Sequence, residues 1–360
     1  MDITVGRATA LAALVATFVT PQVAQSQDRT YQLSGRSVAV YNLAGEVRIV
    51  PGSGSDVEVA VRRQGPDADR LEIRTGRVDL DRGNWGTVEA LRVIYPDDEV
   101  HYTGGPSGYH TNSQIRVRDD GTFWGGRGGR NVRVSSREGD LEAHADLEIR
   151  LPPGKKILVA LAIGRIEARN VDGDLHLDTG AGEIMTSATR GSLNLDTGSG
   201  DITVDGADGD LWADTGSGNV DARNVRGEEI DADTGSGDVR LEDVEARSIG
   251  VDTGSGNVEV LGARTERVGV DTGSGDVRVE TTSGSATFSV DTGSGDVEIA
   301  VPDSYSGTVL IETSSGELHS DMPITLLRRS DDEIEGRIGE GGSARIEIET
   351  GSGDVSLRRI

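Results

Sequence analysis

The chain contains no cysteine. Disulfides, thiolate metal sites and a cysteine nucleophile are therefore excluded, although this trait assigns no compartment. Aromatic residues make up only 3% of the 360 positions, and there are 9 prolines. A core built on large rings is ruled out. Any core must be narrow and lined with Val, Leu, Ile, Ala and Thr. Positive charge is scarce as well: 36 Lys and Arg face 62 Asp and Glu, a formal net charge of -26. Such a field repels nucleic acid and anionic membrane surfaces, so neither is an expected partner. Acidic chains can be disordered, but a regular apolar alternation argues against that for most of this one.

The N-terminus carries an export signal. Arg7 is basic, Ala8 to Val19 is apolar apart from Thr9 and Thr17, and Ala24-Gln25-Ser26 places small residues where signal peptidase reads them. This predicts a signal peptide over residues 1–26, cleaved after Ser26. No cysteine follows for lipid attachment, and no later segment is long and apolar enough to cross a membrane. The expected location is the periplasm or the cell surface of a bacterium, with no transmembrane segment after cleavage.

What the chain has in abundance is glycine, 51 residues, much of it inside one phrase. DTGSGD or DTGSGN starts at Asp196, Asp214, Asp233, Asp252, Asp271 and Asp291, with looser copies at Asp178, Glu312 and Glu349. The steps run 18, 18, 19, 19, 19, 20, 21 and then 37, the last reading as two steps around a degenerate copy. A fixed period near 19 is the mark of one unit stacked on itself. Within a unit, Ile249, Val251 and Thr253 alternate with Gly250 and Asp252, and after the turn Val258 and Val260 alternate with Asn257 and Glu259. Period-two alternation on both sides of a tight turn predicts two short strands per coil. The fold class is all-β, a β-solenoid. About ten coils from Asp178 onward would make a rod on the order of 50 Å long. Glycines flanking the central serine would supply positive φ, and the leading Asp would close an Asx-type turn.

Composition divides the rest. Residues 27–101 read as irregular N-terminal β coils, 102–131 as a Gly- and aromatic-rich insert loop, 132–174 as coils entering the stack, and 175–360 as the regular array. The insert holds Tyr102, Tyr109, His110, Phe123 and Trp124. Its aromatics either pack over the end of the stack or form a contact site, with Tyr109 and Trp124 as candidates. In the array, His176 and Trp212 fall on the outward row of the first strand and are further contact candidates. Leu357-Arg-Arg-Ile would leave two cations beside the final strand and so discourage end-to-end strand addition.

Three kinds of chemistry could use parts of this pattern. VDTGSGN looks like the catalytic turn of pepsin-like aspartic proteases, but those need two carboxylates facing one another across a cleft. A parallel ladder keeps them apart. The stacked Asp196, Asp214, Asp233, Asp252, Asp271 and Asp291, with a second row at Asp201, Asp238, Asp276 and Asp296, are weak candidates for a cation ladder, and calcium is the ion such carboxylates would take. The nonapeptide motif of calcium β-rolls is absent, however, and the fold needs no cofactor. A carbohydrate-active β-helix enzyme with a site near the insert is the alternative. It would need clustered Asp, Arg or Lys on one face, whereas lysine is almost absent from the array and its arginines scatter. No nucleophile elbow, phosphate loop or paired metal histidines occur.

The tandem phrase VDTGSGDVEI at Val290 to Ile299, LEIRLPPG at Leu147 to Gly154 and the closing TGSGDVSL at Thr350 to Leu357 resemble a bacterial family of envelope proteins called putative adhesins, a domain of unknown function. The likeness is strong from Leu175 onward and weak before Val100, and the insert departs from it. It implies a β-solenoid without catalysis at the cell envelope, a scaffold or adhesin-like module. Its partner would be an envelope protein or a polysaccharide. No ligand-bearing motif comes with the resemblance.

Overall fold

The computed structural model describes residues 29–80, 85–104, 112–124, 128–137, 139–330 and 332–360. The expected signal peptide and Tyr109 lie outside them. Each coil lays one strand on a 15-stranded sheet, here sheet B, makes the glycine turn, and lays a second strand on a 14-stranded sheet, here sheet A. Neighbouring coils pair in parallel and in register: Asp233 sits beside Asp252, Asp252 beside Asp271, and Val258 beside Val277. The core lies between the sheets. Ile249, Val251, Val258 and Val260 are at most 4% exposed, as the alternation in the sequence predicts. This is a β-solenoid.

The turn works differently from expectation. The glycines of the regular turns, Gly254 and Gly256 for example, do not adopt left-handed φ. They are required because the turns stack too closely for a side chain. A Cβ on Gly256 would fall 1.6 Å from the carbonyl oxygen of Gly237 in the coil before, and Gly218, Gly275 and Gly295 are as tight. Nor does the leading Asp close the turn. Threonine does: Thr253 Oγ1 accepts the Gly256 N–H at 3.1 Å and donates to the Gly237 carbonyl at 3.2 Å. Thr215, Thr234, Thr272, Thr292 and Thr350 repeat both bonds. One hydroxyl closes its own turn and ties it to the previous one, and it is buried while doing so.

A further column marks the outer corner. Asn170, Ala188, Asn224 and Asp243 have φ of 49 to 56° and align with Gly206 and Gly262. Asn, Asp and Gly tolerate this region of conformational space and alanine does not.

The C-terminal end departs from sequence order. The strand Ala344–Thr350 inserts between Thr287–Thr292 and Gly307–Thr313. On sheet A, Val355–Arg359 lies between Val297–Val301 and Leu318–Ser320. The last strand of the chain is thus internal, and its two arginines do not guard an edge. The step of 37 residues holds no additional coil. It holds a hairpin, Ile324–Arg329 and Glu333–Ile338, that closes sheet B antiparallel to Gly307–Thr313. A parallel stack leaves open edges, and antiparallel hairpins end it.

The other end is capped more heavily. Ser37–Ala44 and Val47–Pro51 form a genuine coil beneath Lys155–Ile163 and Ile166–Arg169. The hairpin Glu72–Leu80 and Gly86–Ile94 ends sheet B there, while Val57–Gln64 and Arg29–Leu33 end sheet A. A third sheet of four strands includes Asn112–Val117 from the insert. At this end both faces of Lys155–Ile163 are buried, which explains why its sequence runs continuously apolar instead of alternating. Tyr95 pins the cap from within. Its hydroxyl lies 2.8 Å from Asn42 Oδ1 and 3.0 Å from the Ala44 carbonyl, and Asn42 Nδ2 donates to the Ala145 carbonyl at 2.7 Å.

Candidate functional site

Two outer faces run the length of the stack, and the residues assigned to the second acidic row belong to the corner of sheet A. Their role is structural. Asp201 Oδ1 accepts the Asn219 N–H at 2.8 Å, Asn219 Oδ1 accepts the Asp238 N–H at 2.9 Å, and the pattern continues through Asn257, Asp276, Asp296 and Asp354 to Glu317. Each side-chain oxygen caps the backbone of the next coil. Asn and Asp alternate freely because both offer that oxygen. Beside this ladder lies a groove of about 710 Å³ whose walls carry Arg240, Glu259, Arg278 and Glu298. The outward arginines are paired, Arg240 with Glu259 and with Glu242 and Arg278 with Glu298, beside the carboxylates of Asp238, Asp276, Asp296 and Asp354.

The outer face of sheet B is built otherwise. Its registers put Asp178, Asp196, Asp214, Asp233, Asp252, Asp271, Asp291, Glu349 and Glu312 in one column, in that spatial order. The spacing is that of adjacent strands, about 4.8 Å. From Asp214 onward the column is exposed. Burial and the carboxylates above and below raise the proton affinity of Asp214, Asp233 and Asp252, burial being the larger cause. No cation contributes to any of these three shifts. Among the described residues no three ligating side chains are grouped to hold a metal ion. The carboxylates form a line, not a cage, and never face one another across a cleft.

A parallel column on the same face holds His176, Asn194, Trp212, Asp231, Gly250 and Gly269. His176 and Trp212 thus share a row two coils apart, as their spacing predicts. Trp212 is half-buried, and its indole N–H donates to the Asp231 carboxylate. That bond opposes the burial and the Glu229 charge that raise the proton affinity of Asp231.

At its N-terminal end this face is walled. Asp178 is only 5% exposed, unlike its successors. Trp124 covers the same strand two residues on, 3.4 Å from where a Cβ on Gly180 would lie. On the other side Trp85 meets His176 edge to face, with ring centroids 6.1 Å apart, and carries Lys156 Nζ 4.3 Å above its ring. Within the insert Phe123 and Tyr102 are buried, Phe123 packing edge-on to Tyr41 at 5.5 Å and to Trp124 at 4.7 Å. The described insert aromatics therefore pack over the first coil, and Trp124 alone of these candidates borders an open face. Trp85 was not singled out from the sequence. Its neighbours on this face, Lys156 and His176, are far away along the chain, so no local pattern marks it.

The family described as Toastrack DUF4097 matches residues 185–358. No curated protein matches the chain. Among solved structures, a putative cell adhesion protein from Clostridium sporogenes covers 93% of this chain and 100% of its own, at 10% identity and a TM-score of 0.22. A putative lipid binding protein from Parabacteroides distasonis covers 94% and 98%, at 12% identity and a TM-score of 0.40. A putative adhesin from Bacteroides fragilis covers 92% and 95%, at 11% identity and a TM-score of 0.34. The family match spans the stretch that carries the tandem glycine turns, so this part of the chain is similar to the Toastrack DUF4097 family.

Proposed function

We propose that the protein is an exported, non-enzymatic binding module whose working surface is the outer face of sheet B. One observation carries this reading: an in-register column of exposed carboxylates, Asp214 to Asp291, in which burial and neighbouring like charge raise the proton affinity of Asp214, Asp233 and Asp252. Like charges at strand spacing repel by roughly 1 kcal/mol per pair even in bulk water. A stack that alternates sign along the Arg240 row of sheet A but repeats one sign on sheet B presents a stiff, repetitive acidic strip to a partner. The names given to the structures it resembles, adhesin and cell adhesion protein, fit a binding role. The signal-peptide pattern at Arg7 to Ser26 fits the envelope as the place where it works.

The test uses the mature protein and isolated bacterial envelope fragments. Replacing Asp214, Asp233, Asp252, Asp271 and Asp291 together by Asn should weaken cosedimentation about tenfold or more, while replacing Arg240 and Arg278 by Gln should leave it unchanged. Equal binding by both variants would overturn the assignment of the face. Sustained release of new reducing ends from a panel of polysaccharides would overturn the non-enzymatic reading.

A further inference from the structure

The chain has three tryptophans, and all three border one surface. Trp85 lies against His176, Trp124 against Gly180, and Trp212 beside Asp231, each on the outer face of sheet B. Every one is half-buried, so each keeps part of its ring open. Of the other large aromatics described in this half, Tyr41, Tyr95, Tyr102 and Phe123 are buried, and Tyr31 is half-buried on sheet A. Trp85 and Trp124 also pack against the core, which accounts for part of their placement. Trp212 has no such explanation in its row: its neighbours in register are Asn194 and Asp231, both polar. Beyond it, Gly250 and Gly269 leave the row without side chains. The surface is thus a flat floor with an aromatic step in it, an aromatic wall at one end and a carboxylate beside each coil.

We infer that this strip, from the Trp85 and Trp124 wall past Trp212 toward Asp252, binds a linear β-linked glycan of amino sugars with free ammonium groups. The inference rests on the preceding reading that this face is the working surface, and it names the class of ligand. The chemistry is specific. Trp85 already carries Lys156 Nζ over its ring, but the open parts of the Trp124 and Trp212 indoles take the C–H face of a pyranose ring and attract a neighbouring ammonium through the ring quadrupole. Exposed carboxylates such as Asp214, Asp233 and Asp252 take an ammonium through charge-assisted hydrogen bonds. The same carboxylates repel uronic acids, sulfated sugars and phosphate polymers, which excludes acidic glycans. A linear β-1,4-linked hexosamine chain laid along the stack turns over at each linkage, so alternate amines meet the carboxylate column at about every second coil. The side chains are held on paired strands, so little ordering is required on binding.

The intrinsic fluorescence of the three tryptophans reads this surface directly. Titration with the glucosamine hexamer should quench it saturably, with a dissociation constant that rises with salt. Cellohexaose and the N-acetylglucosamine hexamer should bind about tenfold more weakly or less. Trp212→Ala should cost about tenfold in calorimetric titration, and so should the double variant Asp214→Asn with Asp233→Asn, which keeps every ring and guards against a folding defect in the first. Absence of glucosamine-hexamer binding, with envelope binding intact, would overturn the glycan and leave the wider reading standing. Cellohexaose binding as tightly would overturn the amino-sugar assignment. A lysine hexapeptide bound equally well and unaffected by Trp212→Ala would show a general acceptor of polycations and overturn it as well.

Discussion

On the outer face of sheet A the row Asp221, Arg240, Glu259, Arg278, Glu298 changes sign at every coil. On sheet B, Asp214, Asp233, Asp252, Asp271 and Asp291 repeat one sign through the same coils. Both rows belong to the same repeats, have the same strand spacing and stand over the same aliphatic core. Folding therefore does not demand the acidic column. Sheet A shows that the stack tolerates alternation, and it adds a ladder of Asn and Asp oxygens that satisfies backbone N–H groups. Individual exposed ion pairs contribute little, about 0–1 kcal/mol, but alternation at least removes repulsion. Sheet B keeps it. A surface that gives up stability without packing or hydrogen-bonding return is where an external partner is expected.

The largest effect should come from the turn that separates the faces. Gly256→Ala forces a methyl to within 1.6 Å of the Gly237 carbonyl oxygen and should destabilise by about 3 kcal/mol or more. Ser255→Ala, between the same two glycines and exposed, should be near neutral. Denaturation of the two variants side by side checks whether close stacking, and not turn conformation, fixes the glycines.

Next come the hydroxyls beneath the faces. Thr253→Val loses two hydrogen bonds and strands the Gly256 N–H, costing about 1–3 kcal/mol. Thr186 and Thr189 are equally buried, but their hydroxyls have no hydrogen-bond partner in the protein. Thr186→Val and Thr189→Val should each raise stability, by about 1 kcal/mol. A loss at either would show that the distinction is not one of hydrogen bonding.

The faces themselves differ more gently. Asp238→Asn should be neutral, since Asn219 and Asn257 already do the same work on either side, whereas Asp238→Ala leaves the Asn257 N–H without its acceptor. On sheet B, Asp214, Asp233 and Asp252 bind protons more readily folded than unfolded. Their contribution to stability is complete below the ordinary Asp range, near pH 3.9, and is lost as pH rises through the elevated folded values. Acidification from pH 7 toward pH 4 should therefore raise Tm through these groups. The triple Asp→Asn variant should be more stable at pH 7 and show a smaller rise. An unchanged pH profile in that variant would mean that the column is not a source of strain. Asp120, whose proton affinity is lowered by hydrogen bonds from Thr122 against the opposing effect of burial, works the other way: its contribution is present above the ordinary Asp range and is lost as pH falls through its depressed folded value.

The smallest effect lies at the corner. Ala188 holds φ of 49° in a column otherwise made of Asn, Asp and Gly. Ala188→Asn should relieve that strain and stabilise by about 0.5–1 kcal/mol. No gain in thermal denaturation would show that the corner is already relaxed.

Much of this was legible from the residues alone. A beat near nineteen, apolar alternation on both sides of a glycine turn and a scarcity of large rings dictate a narrow parallel stack, because only stacking buries one-sided strands this short. The columns follow from the beat: Asp252 must lie over Asp233, and His176 must share a row with Trp212. These are consequences of local periodicity, which a sequence carries in full. The roles of Thr253 and of the Asp238 row were not legible, because their partners belong to neighbouring coils and a repeat read singly does not show what its turn touches.

The tertiary structure alone decided how the stack ends and what lies against it. That Ala344–Thr350 would slip between two earlier coils, and that Ile324–Arg329 would close the sheet, depends on which edge is free when each segment arrives, not on any periodicity. That Trp85 would meet His176 and Trp124 would lie against Gly180 depends on a cap folding back over the first coils. Repetition specifies a surface by translation along the chain. Contacts between segments that do not repeat are set by closure in space, and those contacts turn a uniform acidic face into one with an aromatic end.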